Sequence, residues 1–322
     1  MDPSKYEVKV KTFSLQDVKE NDKILYNVNN IYTDGKQPED YWSRRYYTGD
    51  WIDFFLKDKY HTIVISGSDL EWMKKAKNIS QIRPGFPRIF MDELESLCKK
   101  HQERFEKIME SGETWFIRTE NYSFKYSQHG VGPYNDLKKI FESLISYSTG
   151  HACISDDDKS KTIYFIPWID MDFNREFRIF VYNNQITAIS AQHIYVINKW
   201  LQGKSKIEIE ALVDKIVKYF NENIRDKLTF IGSYVMDLAM VTLVTLIGGE
   251  AVGDRDEIDE VKEVDEIDEV NEIPYFIEPN SFGAEYGSGS ALFHWIIDHD
   301  DLHGLNNSSD SKSIQFRYVD RE

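Results

Sequence analysis

From Glu250 to Ile273 the chain runs as a triplet repeat: Asp256-Glu257-Ile258, Asp259-Glu260-Val261, Lys262-Glu263-Val264, Asp265-Glu266-Ile267, Asp268-Glu269-Val270, Asn271-Glu272-Ile273. An apolar residue at every third position drifts around a helix and fits neither face of a strand, so the stretch builds no buried stripe. Its twelve acids, set against two bases, repel one another. Two readings stay open, a solvated loop expansion or an acidic segment that docks on a basic partner. In both, residues 250–273 stand outside the core. They hold −10 of the net −16, which leaves −6 (−16 less −10) for the rest of the 322 residues. That balance argues against a dedicated nucleic-acid binder, although a core so mildly acidic still permits a basic groove.

With 41% hydrophobic and 14% aromatic residues the chain can bury a core, and global disorder is excluded. Two cysteines, Cys98 and Cys153, are too few for a disulfide framework or a Cys-rich zinc site, and suit a reducing compartment. The opening residues Met1-Asp2-Pro3-Ser4-Lys5 are charged rather than signal-like. The longest apolar run, Leu238 to Ile247, is about half of a membrane span. A soluble, cytoplasmic protein that does not enter a membrane is expected.

Residues 1–110 are aromatic-rich. Tyr41-Trp42-Ser43-Arg44-Arg45-Tyr46-Tyr47 interleaves rings with guanidinium groups, as a base-stacking surface or a structural aromatic patch does. Asp92 and Glu95 read as a capping box opening a helix with Met91, Leu94, Leu97, Cys98, Phe105, Ile108 and Met109 on one face. From Trp115 the texture changes. Trp115–Arg118 reads as a strand and Gln128–Pro133 as a loop. A helix capped by Asn135 follows, then strands at Ile163–Ile169, Glu176–Tyr182 and Ile186–Val196. Ser205 and Glu208 form a second capping box. The last strands run from about Ser233 to Ile247 and from Pro274 to Pro279, with the acidic repeat as their connection. Runs of strands with helices interposed predict an α+β fold.

Some chemistry can be discounted. Asn198-Lys199-Trp200-Leu201-Gln202-Gly203-Lys204-Ser205 imitates a P-loop, but Asn198 stands where the first glycine is needed, so Lys204-Ser205 reads as a helix start. Asp34-Gly35 has Tyr32 where a lysyl-adenylate motif has its lysine. His299 and His303, at i, i+4, fit a metal clamp or a solvated helix edge beside Asp298, Asp300 and Asp301.

Two late strands offer hard oxygen ligands. Asp237 is the single acid within Tyr234–Met240, and Glu278 and Asn280 close the next strand. An ionised carboxylate in an apolar strand is costly unless something neutralises it. Residues two apart share a strand face, so Glu278 and Asn280 can converge with Asp237. Two carboxylates and an amide suit Mg²⁺ that keeps phosphate oxygens as further ligands. Pairing of Asp237 with a core arginine such as Arg178 is the equally open alternative. Upstream, Arg118 and Lys125 are cations of the kind phosphates require, and the Gly130–Gly132 loop has the freedom to fold over them.

Glu176-Phe177-Arg178-Ile179-Phe180-Val181, Ile189-Ser190-Ala191-Gln192-His193, Ile277-Glu278-Pro279-Asn280-Ser281-Phe282-Gly283 and Leu292-Phe293-His294-Trp295 together resemble the cell division cycle protein 123 family, an ATP-grasp group. The resemblance spans about residues 115–297. It departs from the family at Glu278 for Asp, Arg118 for Lys and His193 for Arg, at an Asp with no counterpart near Gly289-Ser290, and in the acidic insert. It implies an ATP-grasp-like fold, with an accessory region 1–110, an N-lobe 111–168, a C-lobe 169–300 carrying the insert 250–273, and a polar tail 301–322. It implies that Asp237, Glu278 and Asn280 ligate Mg²⁺ and that Arg118, Lys125, Ile166, Trp168, Glu176 and Arg178 bind ATP, Ile166–Trp168 reading adenine through the backbone. Lys125 and Arg178 become the catalytic candidates. The implied role is an ATP-dependent chaperone assembling eukaryotic translation initiation factor 2 through its gamma subunit. The alternative is an ATP-grasp ligase joining RNA ends or a carboxylate to an amine.

Overall fold

Strands form where β-branched and aromatic residues cluster, and helices where apolar residues recur every three or four. The computed structural model describes residues 6–32, 34–41, 46–146, 152–242, 272–307 and 312–322. Along the chain β1 (Tyr6–Ser14) and α1 (Leu15–Glu20) come first. After them come α2 (Thr48–Leu56), β2 (His61–Ser66), α3 (Gly67–Ile82), α4 (Met91–Met109), β3 (Trp115–Arg118), α5 (Leu137–Ile145) and β4 (Ser160–Pro167). The remainder supplies β5 (Glu176–Tyr182), β6 (Gln185–Ala191), α6 (Lys206–Tyr219), β7 (Tyr234–Thr242), β8 (Glu272–Asn280), α7 (His299–Leu302) and β9 (Lys312–Arg321). The α+β class expected from the sequence is what the structure has.

The chain divides into two compact units, Tyr47–Ile169 and Met1–Tyr46 with Asp170–Glu322. The first 110 residues therefore do not form one region, because β1 and α1 join the strands that follow Asp170. In the 47–169 unit β4 lies between β2 and β3, antiparallel to both. Ile63, Ile65, Ile117 and Phe165 of this sheet pack with Leu70 and Met73 of α3, Leu94 and Leu97 of α4 and Phe141 of α5.

The other unit is built on one sheet in the order β1-β9-β6-β5-β7-β8. β9 runs parallel to both β1 and β6, while β5–β6, β5–β7 and β7–β8 are antiparallel. Residues 301–322, read from the sequence as a polar tail, thus contain a strand in the sheet interior. Its charges misled the reading: Arg317 is buried and neutralised by Asp298, through two bonds of 2.8 Å. α6 lies on one face, burying Ile209, Leu212, Val213, Ile216 and Val217. The Ser205–Glu208 capping box opens it as expected.

Smaller differences have local causes. α4 starts from a 3-10 turn at Arg88–Phe90, so Asp92 falls in its first turn and no side chain caps it. Asp136, not Asn135, caps α5, accepting from the Lys138 and Lys139 amides at 2.8 and 3.3 Å. β6 ends at Ala191, five residues short of Val196. The acidic repeat lies outside the described residues apart from Glu272 and Ile273, which open β8; so do Trp42–Arg45 of the aromatic cluster.

His299 and His303 are a stacked pair, ring centroids 3.9 Å apart, and His303 packs edge-on against Tyr182 at 4.7 Å and Phe282 at 5.1 Å. Burial holds His303 below the ordinary imidazole value. Its Nδ1 bond to the His299 carbonyl, Asp300 and Glu285 push upward, and the His299 ring pushes down. His101 is lowered likewise, by burial and then Lys100, against Asp69. With folded values below the unfolded one, the unfolded chain takes up these protons first. Stability is therefore full above about pH 6.5 and declines as pH falls below it. The denaturation midpoint is expected to be lower at about pH 5.5 than at about pH 7.5, and His303→Phe to shrink the difference.

Candidate functional site

β7 is buried along its length, and Asp237, 3% exposed, is its only ionisable carboxylate. Register explains why the carboxylate is tolerated. Arg178 of β5 is the direct partner of Asp237 on one side and Glu278 of β8 on the other; Asn280 faces Val235, one pleat along on the same face. Arg178 closes a two-pronged fork on the carboxylate, Nε to Oδ1 at 2.9 Å and Nη2 to Oδ2 at 2.8 Å. Its remaining nitrogen, Nη1, donates to the Gly289 carbonyl at 2.8 Å. The Asn280 amide donates to Asp237 Oδ2 at 3.2 Å, which turns its carbonyl oxygen away from that carboxylate. The row continues across the sheet to Ser190, partner of Arg178, and Arg317, partner of Ser190.

Asp237 is thus paired with Arg178, and Glu278 and Asn280 lie beside it on the same face. Carboxylates crowd this cluster. Burial raises the Asp237 carboxyl; Arg178 opposes the rise, while Glu278 and Glu176 add to it. Arg178 is held firmly protonated by Asp237 despite its own burial. Glu176, two residues before Arg178, is partnered by His193, Nε2 to Oε2 2.9 Å. Three carboxylates, those of Asp237, Glu278 and Glu176, thus act on one another around Arg178. A hard divalent cation is what such a set of oxygen donors accommodates. Among the described residues no group of three His, Cys, Asp or Glu is arranged to hold a metal. The ligands available from the chain are two carboxylates and an amide, and phosphate oxygens or water would complete the shell.

In the 47–169 unit Arg118 ends β3, opposite Tyr164 of β4. It is 2% exposed, with its guanidinium 5.1 Å from the Trp51 ring centroid. Lys125 is exposed on the 3-10 turn Phe124–Tyr126, its Nζ 5.3 Å from the Tyr126 ring. Ile166 and Trp168 stand at the end of β4. The β2 register begins at His61↔Phe165, so Ile166 lies past the end of β2 while still paired with Phe116 of β3. The Trp168 amide donates to the Thr114 carbonyl at 2.8 Å. The glycine loop is anchored rather than loose: Tyr134 Oη donates to the Gly130 carbonyl at 2.7 Å. One unit thus brings the carboxylates together with Arg178, while in the other Arg118 and Ile166 stand on neighbouring strands with different register partners, Tyr164 and Phe116. Gly289 and Ser190 fall in stretches compared with the family but were not singled out as site neighbours, since only the fold brings them to Arg178.

The sequence profile of the D123 family matches residues 134–322. The chain belongs to the D123 family. Among solved structures, this D123-family chain is similar to C-terminally truncated Cdc123 from Schizosaccharomyces pombe. The identity is 14%, the TM-score 0.52, and the match covers 84% of this chain and 95% of that one. Against the Cdc123 structure from the same organism the identity is 14% and the TM-score 0.49, covering 85% and 95%. Likeness at this identity concerns the fold, and the first match supports it. No curated protein sequence matches the chain. No helix of the described residues is long and apolar enough to cross a membrane.

Proposed function

We propose that this D123-family protein binds Mg-ATP in an ATP-grasp-like manner and acts as an assembly factor for eukaryotic translation initiation factor 2, recognising its gamma subunit. The observation that carries the nucleotide reading is the face shared by Arg178, Asp237, Glu278 and Asn280, where Glu278 and Glu176 push the buried Asp237 carboxyl further up. Asp237, Glu278 and Asn280 would hold Mg²⁺, which would supply positive charge at phosphate oxygens. Arg178 keeps the Asp237 carboxylate aimed by its two-pronged bond. The same reading assigns Arg118 and Lys125 to phosphate oxygens, as fixed and as mobile cations. It assigns the backbone of Ile166 and Trp168 to adenine, which accords with β4 running past the end of β2.

Family membership supports the assembly role, which is tested on purified components. With Mg-ATP present, the protein is expected to form an isolable complex with the gamma subunit without releasing AMP or ADP in step with binding. No complex under those conditions would refute the role. AMP release together with joined RNA ends would assign the ligase activity instead. Lys125 would then be the covalent candidate, since Arg118 cannot serve as the nucleophile.

A further inference from the structure

The segment Asn21–Ile31 lies outside the residues matched by the family profile and docks along 284–291. The Asn27 amide donates to the Ala291 carbonyl at 2.7 Å, Ser290 N to the Val28 carbonyl at 3.1 Å, and Ile31 N to the Ala284 carbonyl at 2.8 Å. Val28 N also donates to Ser290 Oγ at 2.8 Å. These bonds bracket Gly289, whose carbonyl accepts from Arg178 Nη1. A side chain at Gly289 would require the Asn27 carboxamide to move. A Cβ on it would collide with the Asn27 Oδ1 and would stand 3.5 Å from Arg178 Nη1.

Asn27 is itself tightly specified. It sits in the left-handed region at φ 50°, which asparagine tolerates better than most residues. Its Nδ2 donates to Tyr195 Oη at 2.8 Å, and that hydroxyl donates to Asp22 at 2.6 Å. This orients the carboxamide so that Oδ1 lies against Gly289. A continuous set of contacts thus runs Asp22, Tyr195, Asn27, Gly289, Arg178, Asp237. On the opposite side the Leu292 amide donates to Ser190 Oγ at 3.2 Å, and Ser190 is the register partner of Arg178. The segment that carries Gly289 is therefore tied to β6 as well as to residues 27–31.

We propose that Asn27 is a positioning residue of the candidate site: its carboxamide, braced by Tyr195, presses on Gly289 and so sets the carbonyl that orients the Arg178 guanidinium on Asp237. Asn27 contacts neither carboxylate nor any ligand; it acts through Gly289. Outer-sphere groups of this kind commonly change affinity at a metal–ligand site without contributing a ligand of their own. The consequence for Mg-ATP rests on the nucleotide reading above; the consequence for Arg178 does not.

The test uses Asn27→Gly, which deletes the carboxamide yet keeps a residue at ease with positive φ. The control is Asn29→Ala, which loses a different bond from the same segment, Asn29 Nδ2 to the Gly287 carbonyl at 3.1 Å. The arginine Nε–H signals of the ¹⁵N-labelled full chain are recorded without nucleotide, with Arg178 assigned through Arg178→Lys. Asn27→Gly is expected to shift the Arg178 signal and speed its hydrogen exchange several-fold, while Asn29→Ala leaves both unchanged. An Arg178 signal identical to that of the unaltered protein would overturn the proposal, as would equal changes in both variants. Calorimetry with Mg-ATP is expected to show about 10-fold weaker binding for Asn27→Gly. If the unaltered protein binds Mg-ATP, equal affinity in Asn27→Gly would overturn the positioning role. If the unaltered protein binds no Mg-ATP while the Arg178 signal moves as described, positioning stands and the nucleotide reading falls.

Discussion

Replacing Arg178 by alanine is expected to destabilise the protein more than any other single change in the cluster. Asp237 would be left buried without a counter-charge, which typically costs about 3–5 kcal/mol. For a unit of this size that corresponds to a drop of about 10 °C in the thermal midpoint. The pair is strong only as a pair, because two ions taken out of water regain little beyond their desolvation cost. Arg178→Met combined with Asp237→Leu is therefore expected to recover most of the lost stability, although one site contact, Nη1 to the Gly289 carbonyl, is forfeited. Thermal denaturation of the two single variants and the double variant checks this. Equal midpoints for Arg178→Ala and the unaltered protein would mean that Asp237 is neutral or hydrated in the folded state.

The same pairing decides which variant probes ligand binding cleanly. Asp237→Ala would strip Arg178 of its partner, so a loss of binding in that variant would be mixed with a loss of structure. Glu278→Gln separates the two. Glu278 is only partly buried, adds to the crowding of negative charge around Asp237, and is the register partner through which β8 presents its carboxylate. Neutralising it relieves like-charge repulsion, so stability is expected to hold or rise slightly. Mg-ATP affinity is expected to fall at least about 100-fold, since even groups behind a ligand commonly cost 10–100-fold. Calorimetry and a denaturation curve on the same preparation check both halves. Stability lost in parallel with affinity would argue that Glu278 supports the sheet and does not hold a cation.

Several of these features were legible in the amino-acid sequence, and the reason is local. A single acid in the apolar run Tyr234–Met240 must be neutralised wherever the strand lies. Glu278 and Asn280, two apart on a neighbouring strand, must share a face. The Ser205–Glu208 capping box depends on four consecutive residues and was read correctly. Position 237 carried two open readings, an arginine partner and a gathering of oxygen ligands. The arginine partner is there, and Glu278 and Asn280 do lie on the same face, Asn280 approaching the carboxylate through its amide nitrogen.

What escaped depends on distant pairings. β9 carries Lys312, Arg317 and Arg321, and only its placement between β1 and β6 and the bond to Asp298 make it an interior strand. The first 46 residues show no periodicity that links them to residues after 170, yet β1 pairs with β9 over its length. Gly289 looks like one glycine in a loop of glycines and serines. Its meaning comes from Asn27, more than 250 positions away in the chain. Element ends were also misplaced where a neighbouring residue competes for the same role, as Asp136 does with Asn135 at the start of α5.

The most direct measurement is calorimetric titration of the unaltered protein with ATP, once with Mg²⁺ in excess and once with the metal chelated. If Asp237, Glu278 and Asn280 hold a cation that bridges to phosphate, binding appears with Mg²⁺ and is lost without it. ATP binding of equal strength in both titrations, or in neither, would contradict the assignment of this face of the sheet as a Mg-ATP site.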